Sequence, residues 1–172
     1  MKAKAIFFDR DGVVNERILG GYVRSWGEFA FREGVGEFLQ AVKAKGYLAM
    51  IVTNQRGVGI GMMSEQELQE IHNRMQAALT DNFGVAFNDI YYCTDADDSS
   101  TRRKPSPQMI FEARDKYDLD LASSWMIGDA ATDIQAGNQA GTKTAFLINE
   151  HEVNPSTATQ VIYSLAELLP FL

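Results

Sequence analysis

The sequence predicts an α/β fold of three layers, with helices on both faces of a central parallel sheet. Three observations predict it. Short apolar runs recur at residues 5–8, 47–53, 89–92, 124–127 and 144–148, and continuous apolar runs of that length suit strands buried on both faces. Segments of helical periodicity separate them. Strand and helix alternate along the chain, the order that a parallel sheet with right-handed crossovers requires.

Each element has its own signals. The first strand, residues 5–8, runs into Asp9. A helix over 35–45 carries Val35, Phe38, Leu39 and Val42 at helical spacing and stops at Gly46, a residue suited to the C-terminal cap. The second strand is 47–53. A helix over 64–83 opens on Ser64 and Glu67, spaced as a capping box, and its apolar stripe is Leu68, Ile71, Met75 and Leu79. The third strand is 89–92. Ser106-Pro107 starts the next helix, with proline in the first turn. The fourth strand, 124–127, precedes a helix over 130–140 that Gly141 ends. The fifth strand is 144–148, and a short amphipathic tail spans 165–169.

Size and composition agree with one domain over 1–172. A chain of 172 residues falls within ordinary domain length. Apolar residues make up 45% and charged residues 23%, the balance of a globular protein. The net charge is −7, which argues against a broad basic face for nucleic acid. One cysteine, Cys93, excludes an internal disulfide framework. The longest apolar stretch is Tyr47 to Val52, whereas a membrane span needs about 20 residues. The N-terminal residues carry no secretory apolar core. A cytoplasmic location is therefore expected.

Ligands of open α/β sheets bind past the carboxyl ends of the strands, and each of the first four strands ends in chemistry. Asp9-Arg10-Asp11-Gly12 follows the first. Two carboxylates two positions apart in extended chain project the same way and repel unless a cation or proton intervenes. A nucleophile and an acid/base near Mg²⁺ is one reading, and a solvated turn is the other. Arg10, between them, is expected to point away. Thr53-Asn54-Gln55-Arg56 follows the second strand and offers donors to an anion. Gly57, Gly59 and Gly61 read as a flexible loop. Arg102-Arg103-Lys104 follows the third, a local reversal of sign that suits an anionic ligand or a solvated run. Asp129 and Asp133 follow the fourth, one helical turn apart, with Asp129 expected to cap the helix. His72 and Met62-Met63 read as packing residues. No role falls to His72 or His151.

These four segments, in this order and strand context, resemble the motifs of the haloacid dehalogenase-like superfamily of phosphohydrolases. Asp9-Arg10-Asp11-Gly12-Val13-Val14-Asn15 is similar to its first motif, Thr53 to the second, Lys104 to the third, and Asp129 with Asp133 to the fourth. The resemblance covers about the first 150 residues and implies a Rossmann-like fold. Gly21-Tyr22-Val23, Phe29-Ala30-Phe31, Thr53-Asn54-Gln55 and Arg103-Lys104-Pro105 resemble a subgroup without a large cap domain. That subgroup holds heptose 1,7-bisphosphate and histidinol-phosphate phosphatases. Residues 15–34 and 93–103 would shape its substrate mouth. The subgroup usually carries a C-x-H…C-x-C zinc loop before its R-K-P. Here the stretch reads Cys93-Thr94-Asp95, then Ser100-Thr101-Arg102. Structural zinc takes four N or S ligands, so none is expected.

The resemblance and the residue types imply one scheme. Mg²⁺ is held by Asp9, the backbone carbonyl of Asp11, and Asp129, as hard oxygen ligands suit. Asp9 is the nucleophile and Asp11 the acid/base. Thr53 and Lys104 bind the phosphoryl oxygens. Asp133 orients Lys104 or a water on the metal. Asn54, Gln55, Arg56 and Arg103 take the substrate's second polar or anionic group. The expected partner is a small phosphorylated metabolite such as a heptose bisphosphate, with histidinol phosphate or another metabolite as the alternative. A receiver-type signalling module, which also uses a phospho-aspartate, places its acceptor after the third strand, where this chain has Tyr92-Cys93. A phosphotransferase or mutase would share Asp9 and Asp11, and a silent homologue would lack motif residues that are present here.

Overall fold

The computed structural model describes residues 2–151, 153–155 and 157–172. Met1, in the N-terminal segment discussed above, lies outside the described residues. Six strands form one sheet: β1 (Lys4–Phe8), β2 (Tyr47–Asn54), β3 (Asp89–Cys93), β4 (Trp125–Gly128), β5 (Lys143–Leu147) and β6 (Gln160–Ile162). Their order is β3-β2-β1-β4-β5-β6, and every pair is parallel. The four inner strands are largely apolar and buried because helices cover both faces. β3 lies at the edge, and four of its five residues are only half-buried.

Alternation along β1 divides the core. Ile6 and Phe8 point to the side of α1 (Val35–Ala44) and α3 (Glu65–Phe83), joined there by Leu39, Ile71 and Met75. Ala5 and Phe7 point to the side of α4 (Gln108–Tyr117) and α5 (Ala131–Ala140), with Met109 and Ile110. The expected helices are present within two residues at each end. The Ser64–Glu67 capping box forms, with Ser64 Oγ accepting from the Glu67 N–H at 3.2 Å and Glu67 Oε2 accepting from the Ser64 N–H at 2.7 Å.

Four expectations change. A sixth strand, β6, extends the sheet beyond β5. Residues Arg56–Gly59 form a helical turn, α2, rather than a flexible loop. A Cβ on Gly59 would lie 2.1 Å from the Thr94 carbonyl oxygen, so this glycine lets the turn press against the loop after β3. The cap of α5 comes from Asp133, whose Oδ2 accepts from the N–H groups of Asp129 and Ala130 at 3.2 and 3.1 Å. Asp129 is thereby left to face the cavity. Met62 is exposed whereas Met63 packs.

Register sets the site. Phe8 pairs with Ile51 on one side and Ile127 on the other. The carboxyl ends of β1, β2 and β4 therefore reach the same edge of the sheet, and the residues after them converge there.

Candidate active site

A cavity of about 450 Å³ opens at that edge, lined by Asp9, Asp11, Lys104, Asp129 and Asp133 among others. Its floor is a buried ionic cluster. The Lys104 ammonium donates to Asp9 Oδ1 at 2.7 Å, to Asp133 Oδ1 at 2.6 Å and to the Val52 carbonyl at 2.8 Å. Those three acceptors use its three protons. Burial opposes the ammonium's charge, but Asp133 and Asp9 overcome it and hold Lys104 protonated.

The carboxylates outnumber the cations. Oxygens of Asp9, Asp129 and Asp133 lie within 4.8 Å of one another, all buried. Against them stand Lys104 and, from the rim, Arg17, whose Nη1 is 3.7 Å from Asp129 Oδ2. Burial raises the Asp9 carboxyl well above the usual range, Asp133 and Asp129 add to the rise, and Lys104 pulls against it. Burial, with Asp133, lifts Asp129 to about 7. A hard divalent cation fits this surplus of oxygen ligands and charge. Asp133 has both oxygens engaged, with Lys104 and with the start of α5. Asp9 and Asp129 are thus the side chains left to ligate. Gly12, at φ +98°, makes room: a Cβ there would come within 1.9 Å of Asp129 Oδ2.

Asp11 occupies a different part of the wall. Its Oδ1 accepts from Arg10 Nη2 at 2.9 Å and Asn15 Nδ2 at 3.0 Å, and its Oδ2 from Gln55 Nε2 at 2.8 Å. Burial pushes this carboxyl up, but Arg10, Asn15 and Gln55 prevail and set it below its ordinary value. Arg10 is absent from the cavity wall, as its alternation with Asp9 and Asp11 suggested. It nonetheless turns back onto Asp11.

The residues after β2 divide between wall and clamp. Arg56 lies exposed on the wall. Asn54 reaches the wall and grips the Lys104 backbone, accepting from its N–H at 3.0 Å and donating to its carbonyl at 3.1 Å. Gln55, besides holding Asp11, donates to Thr53 Oγ1 at 2.9 Å. Thr53 is 1% exposed and sits beneath Gln55 rather than among the lining residues. In the basic run after β3, Arg102 turns away to Glu112, with Nε–Oε1 at 2.8 Å and Nη2–Oε2 at 2.9 Å, and also to the Tyr92 carbonyl. Arg103 and Lys104 alone of the three line the cavity. Arg17, Ile18 and residues 20–23 supply another stretch of the rim. Cys93 is buried, with Sγ 3.8 Å from Ser100 Oγ. The clamping roles of Asn54 and Gln55, and the Arg10–Asp11 contact, escaped sequence reasoning. Their only signal was adjacency to motif positions.

Residues 14–141 match the model of the haloacid dehalogenase-like hydrolases. The chain belongs to this family. The matched stretch begins after Asp9 and Asp11. Among curated relatives of this hydrolase, D-glycero-alpha-D-manno-heptose-1,7-bisphosphate 7-phosphatase of Burkholderia mallei is 36% identical, covering 100% of this chain and 95% of the relative. D-glycero-beta-D-manno-heptose-1,7-bisphosphate 7-phosphatase of Haemophilus ducreyi is also 36% identical, with 100% of both chains covered. The crystal structure of D,D-heptose 1,7-bisphosphate phosphatase from B. bronchiseptica, complexed with magnesium and phosphate, superposes on the hydrolase with a TM-score of 0.87. It is 30% identical and covers 98% of this chain and 97% of that one. No helix among the described residues is long and apolar enough to cross a membrane.

Proposed function

We propose that the chain is a Mg²⁺-dependent phosphomonoester hydrolase that works through an aspartyl phosphate on Asp9, with a heptose 1,7-bisphosphate as its substrate class. One observation carries the reading. Asp9, Lys104, Asp129 and Asp133, far apart in sequence, form one buried cluster at the ends of parallel strands, beside a cavity that Asp11 also lines. The names of the two relatives supply the sugar bisphosphate. Those names differ in anomer at equal identity, so the reading extends to the sugar and not to its anomer. A monomer acting in the cytoplasm completes it.

Asp9 and Asp129 would hold the ion, together with the backbone carbonyl of Asp11. Bound there, Mg²⁺ lets a carboxylate approach an anionic phosphate. Asp9 attacks phosphorus in line while the P–O bond to the sugar breaks. Asp11, ionised in the free chain, takes up a proton as the anionic phosphate binds beside it and gives that proton to the departing sugar oxygen, so the alcohol leaves neutral. It then takes a proton from the water that attacks the aspartyl phosphate, and inorganic phosphate and the Asp9 carboxylate are released. Lys104 holds one Asp9 oxygen throughout, which fixes the nucleophile's orientation, and a phosphoryl oxygen would share its charge. Arg56 and Arg103, both on the wall, would take the second phosphate.

Release of phosphate from a panel of phosphorylated metabolites in Mg²⁺, with the wild type and Asp9→Asn side by side, tests the reading. Turnover of the heptose bisphosphate by the wild type alone is expected. Undiminished release by Asp9→Asn would overturn the nucleophile assignment.

A further inference from the structure

Two buried groups behind the cavity have no part in the scheme above. The Arg10 side chain is fully buried, and His72, on α3, is 5% exposed. Arg10 Nη2 donates to Asp11 Oδ1 at 2.9 Å, and Nη1 lies 3.2 Å from His72 Nε2. A guanidinium can only donate, so Nε2 is the lone-pair nitrogen and the ring proton sits on Nδ1. Burial, with the nearby Arg10 charge, lowers His72 to about 3, which keeps the ring neutral and an acceptor. The ring rests against Tyr92, with centroids 5.8 Å apart. The Arg10 carbonyl accepts from the N–H groups of Val13, Val14 and Asn15, so the backbone is pinned as well as the side chain. Arg10 Nε finds no partner among the described residues. A buried guanidinium with one N–H unpaired is a costly core filler.

We propose that His72 and Arg10 are positioning residues for proton transfer: His72 holds the guanidinium, and the guanidinium with Asn15 holds Oδ1 of Asp11, so that Oδ2 carries the proton to the leaving oxygen. Two donors converge on Oδ1, whereas Oδ2 has only Gln55 among the described residues. A proton placed on Oδ1 would collide with Arg10 and Asn15. The relay therefore selects the oxygen as well as aiming the group. It rests on Asp11 as the acid/base of the proposed reaction.

A leaving-group comparison tests it. Release of an alkoxide from a sugar phosphate needs a proton as the P–O bond breaks, whereas p-nitrophenolate leaves without one. The readout is kcat/KM on the heptose bisphosphate relative to p-nitrophenyl phosphate, with β-glycerophosphate as the alkyl ester if the wild type does not turn over the heptose. His72→Met is expected to lower that ratio about tenfold or more. His72→Gln, whose Oε1 can accept from Arg10, should recover most of it. Thermal melting establishes that each variant is folded, and if His72→Met is not, His72→Asn, too short to reach the guanidinium, replaces it. Equal loss on both substrates, or no loss, overturns the relay. Asp11→Asn serves as reference. If it leaves the ratio unmoved, the acid/base reading fails, and if it moves the ratio while the His72 variants do not, the relay alone fails.

Discussion

The floor and the rim of the cavity are built on different principles. The floor is Asp9, Lys104 and Asp133, with Asp129 alongside, drawn from the ends of different strands. None is more than 9% exposed, and the bonds of Asp9 and Asp133 to Lys104 are 2.7 and 2.6 Å. The rim after β3 is held by neighbours in sequence. Ser100 Oγ accepts from the N–H groups of Arg102 and Arg103 at 3.2 Å, and Asp97 Oδ1 from the Ser99 N–H at 2.8 Å. Arg103 Nε pairs at 3.4 Å with Asp98, whose side chain is 85% exposed. Charges shielded from water interact strongly and cost much to unpair, whereas exposed pairs contribute little. The floor therefore cannot drift without loss of the fold. The rim can, and it is where this chain departs from the zinc-loop pattern of the subgroup it resembles.

The sharpest break is Lys104→Met. It leaves Asp9 and Asp133 buried without their shared cation, and removing one member of a buried ionic cluster costs about 3–5 kcal/mol. Chemical denaturation should show a loss of that size, and phosphate release should fall to the background rate. A stable, active variant would show that the floor is not the unit described here. A smaller effect concerns the metal. Asp129 ionises at about 7 in the metal-free chain and must be ionised to ligate. Below pH 7 a proton competes with the ion, so Mg²⁺ affinity should rise about tenfold from pH 6 to pH 8 by titration calorimetry. The metal-free chain should itself lose stability from this group as pH rises from 3.8 through 7, because the folded state holds the proton that the unfolded state gives up. A flat affinity profile would remove Asp129 from the ligand set.

Smaller still is the term from His72, which sits behind the wall. Its folded value, about 3, lies below the ordinary 6.5, so the unfolded chain takes up a proton that the folded chain refuses. Stability from this group is intact above pH 6.5 and is lost as pH falls, by about 1.4 kcal/mol at pH 5.5. His72→Gln should lack that dependence. Identical profiles for the two proteins would mean that the ring is not held neutral.

The same division explains how far the sequence could be read. Asp9, Asp129 and Asp133 follow apolar runs that read as buried strands, so topology brings them to one edge, and Asn54 at the end of β2 holds the Lys104 backbone there. The parallel sheet was legible for the same reason. β6 was not, because Gln160-Val161-Ile162 is too short to show a period. Asn54 and Gln55 looked like ligand donors because a sequence places a residue at a strand end without saying which way it turns. Asn54 turned to the backbone of Lys104 and Gln55 to Asp11, partners 50 and 44 positions away. The Gly57–Gly59 turn was hidden because its glycines answer to Tyr22 and Thr94, each more than 30 positions away. The His72–Arg10 contact spans 62 positions with no motif at the histidine end.

Ser100→Ala probes the rim with the smallest expected effect. Ser100 Oγ bonds Asp95 Oδ2 and receives the N–H groups of Arg102 and Arg103, so one hydroxyl ties both ends of the loop where the resembling subgroup carries metal ligands. Arg103 follows directly, with Nη1 donating to the Asp95 carbonyl at 3.3 Å. Without the hydroxyl those N–H groups can turn to water, and the net cost per hydrogen bond is about 1 kcal/mol. The floor does not touch Ser100, so kcat on p-nitrophenyl phosphate, which has no second phosphate, should hold. KM for the heptose bisphosphate should rise about fivefold as Arg103 loses its fixed position. Ser100→Thr, which keeps the hydroxyl, should restore it. A fall in kcat on both substrates would tie the loop to the floor and break the distinction between them. An unchanged KM would mean that Arg103 is placed by Asp98 and the backbone alone.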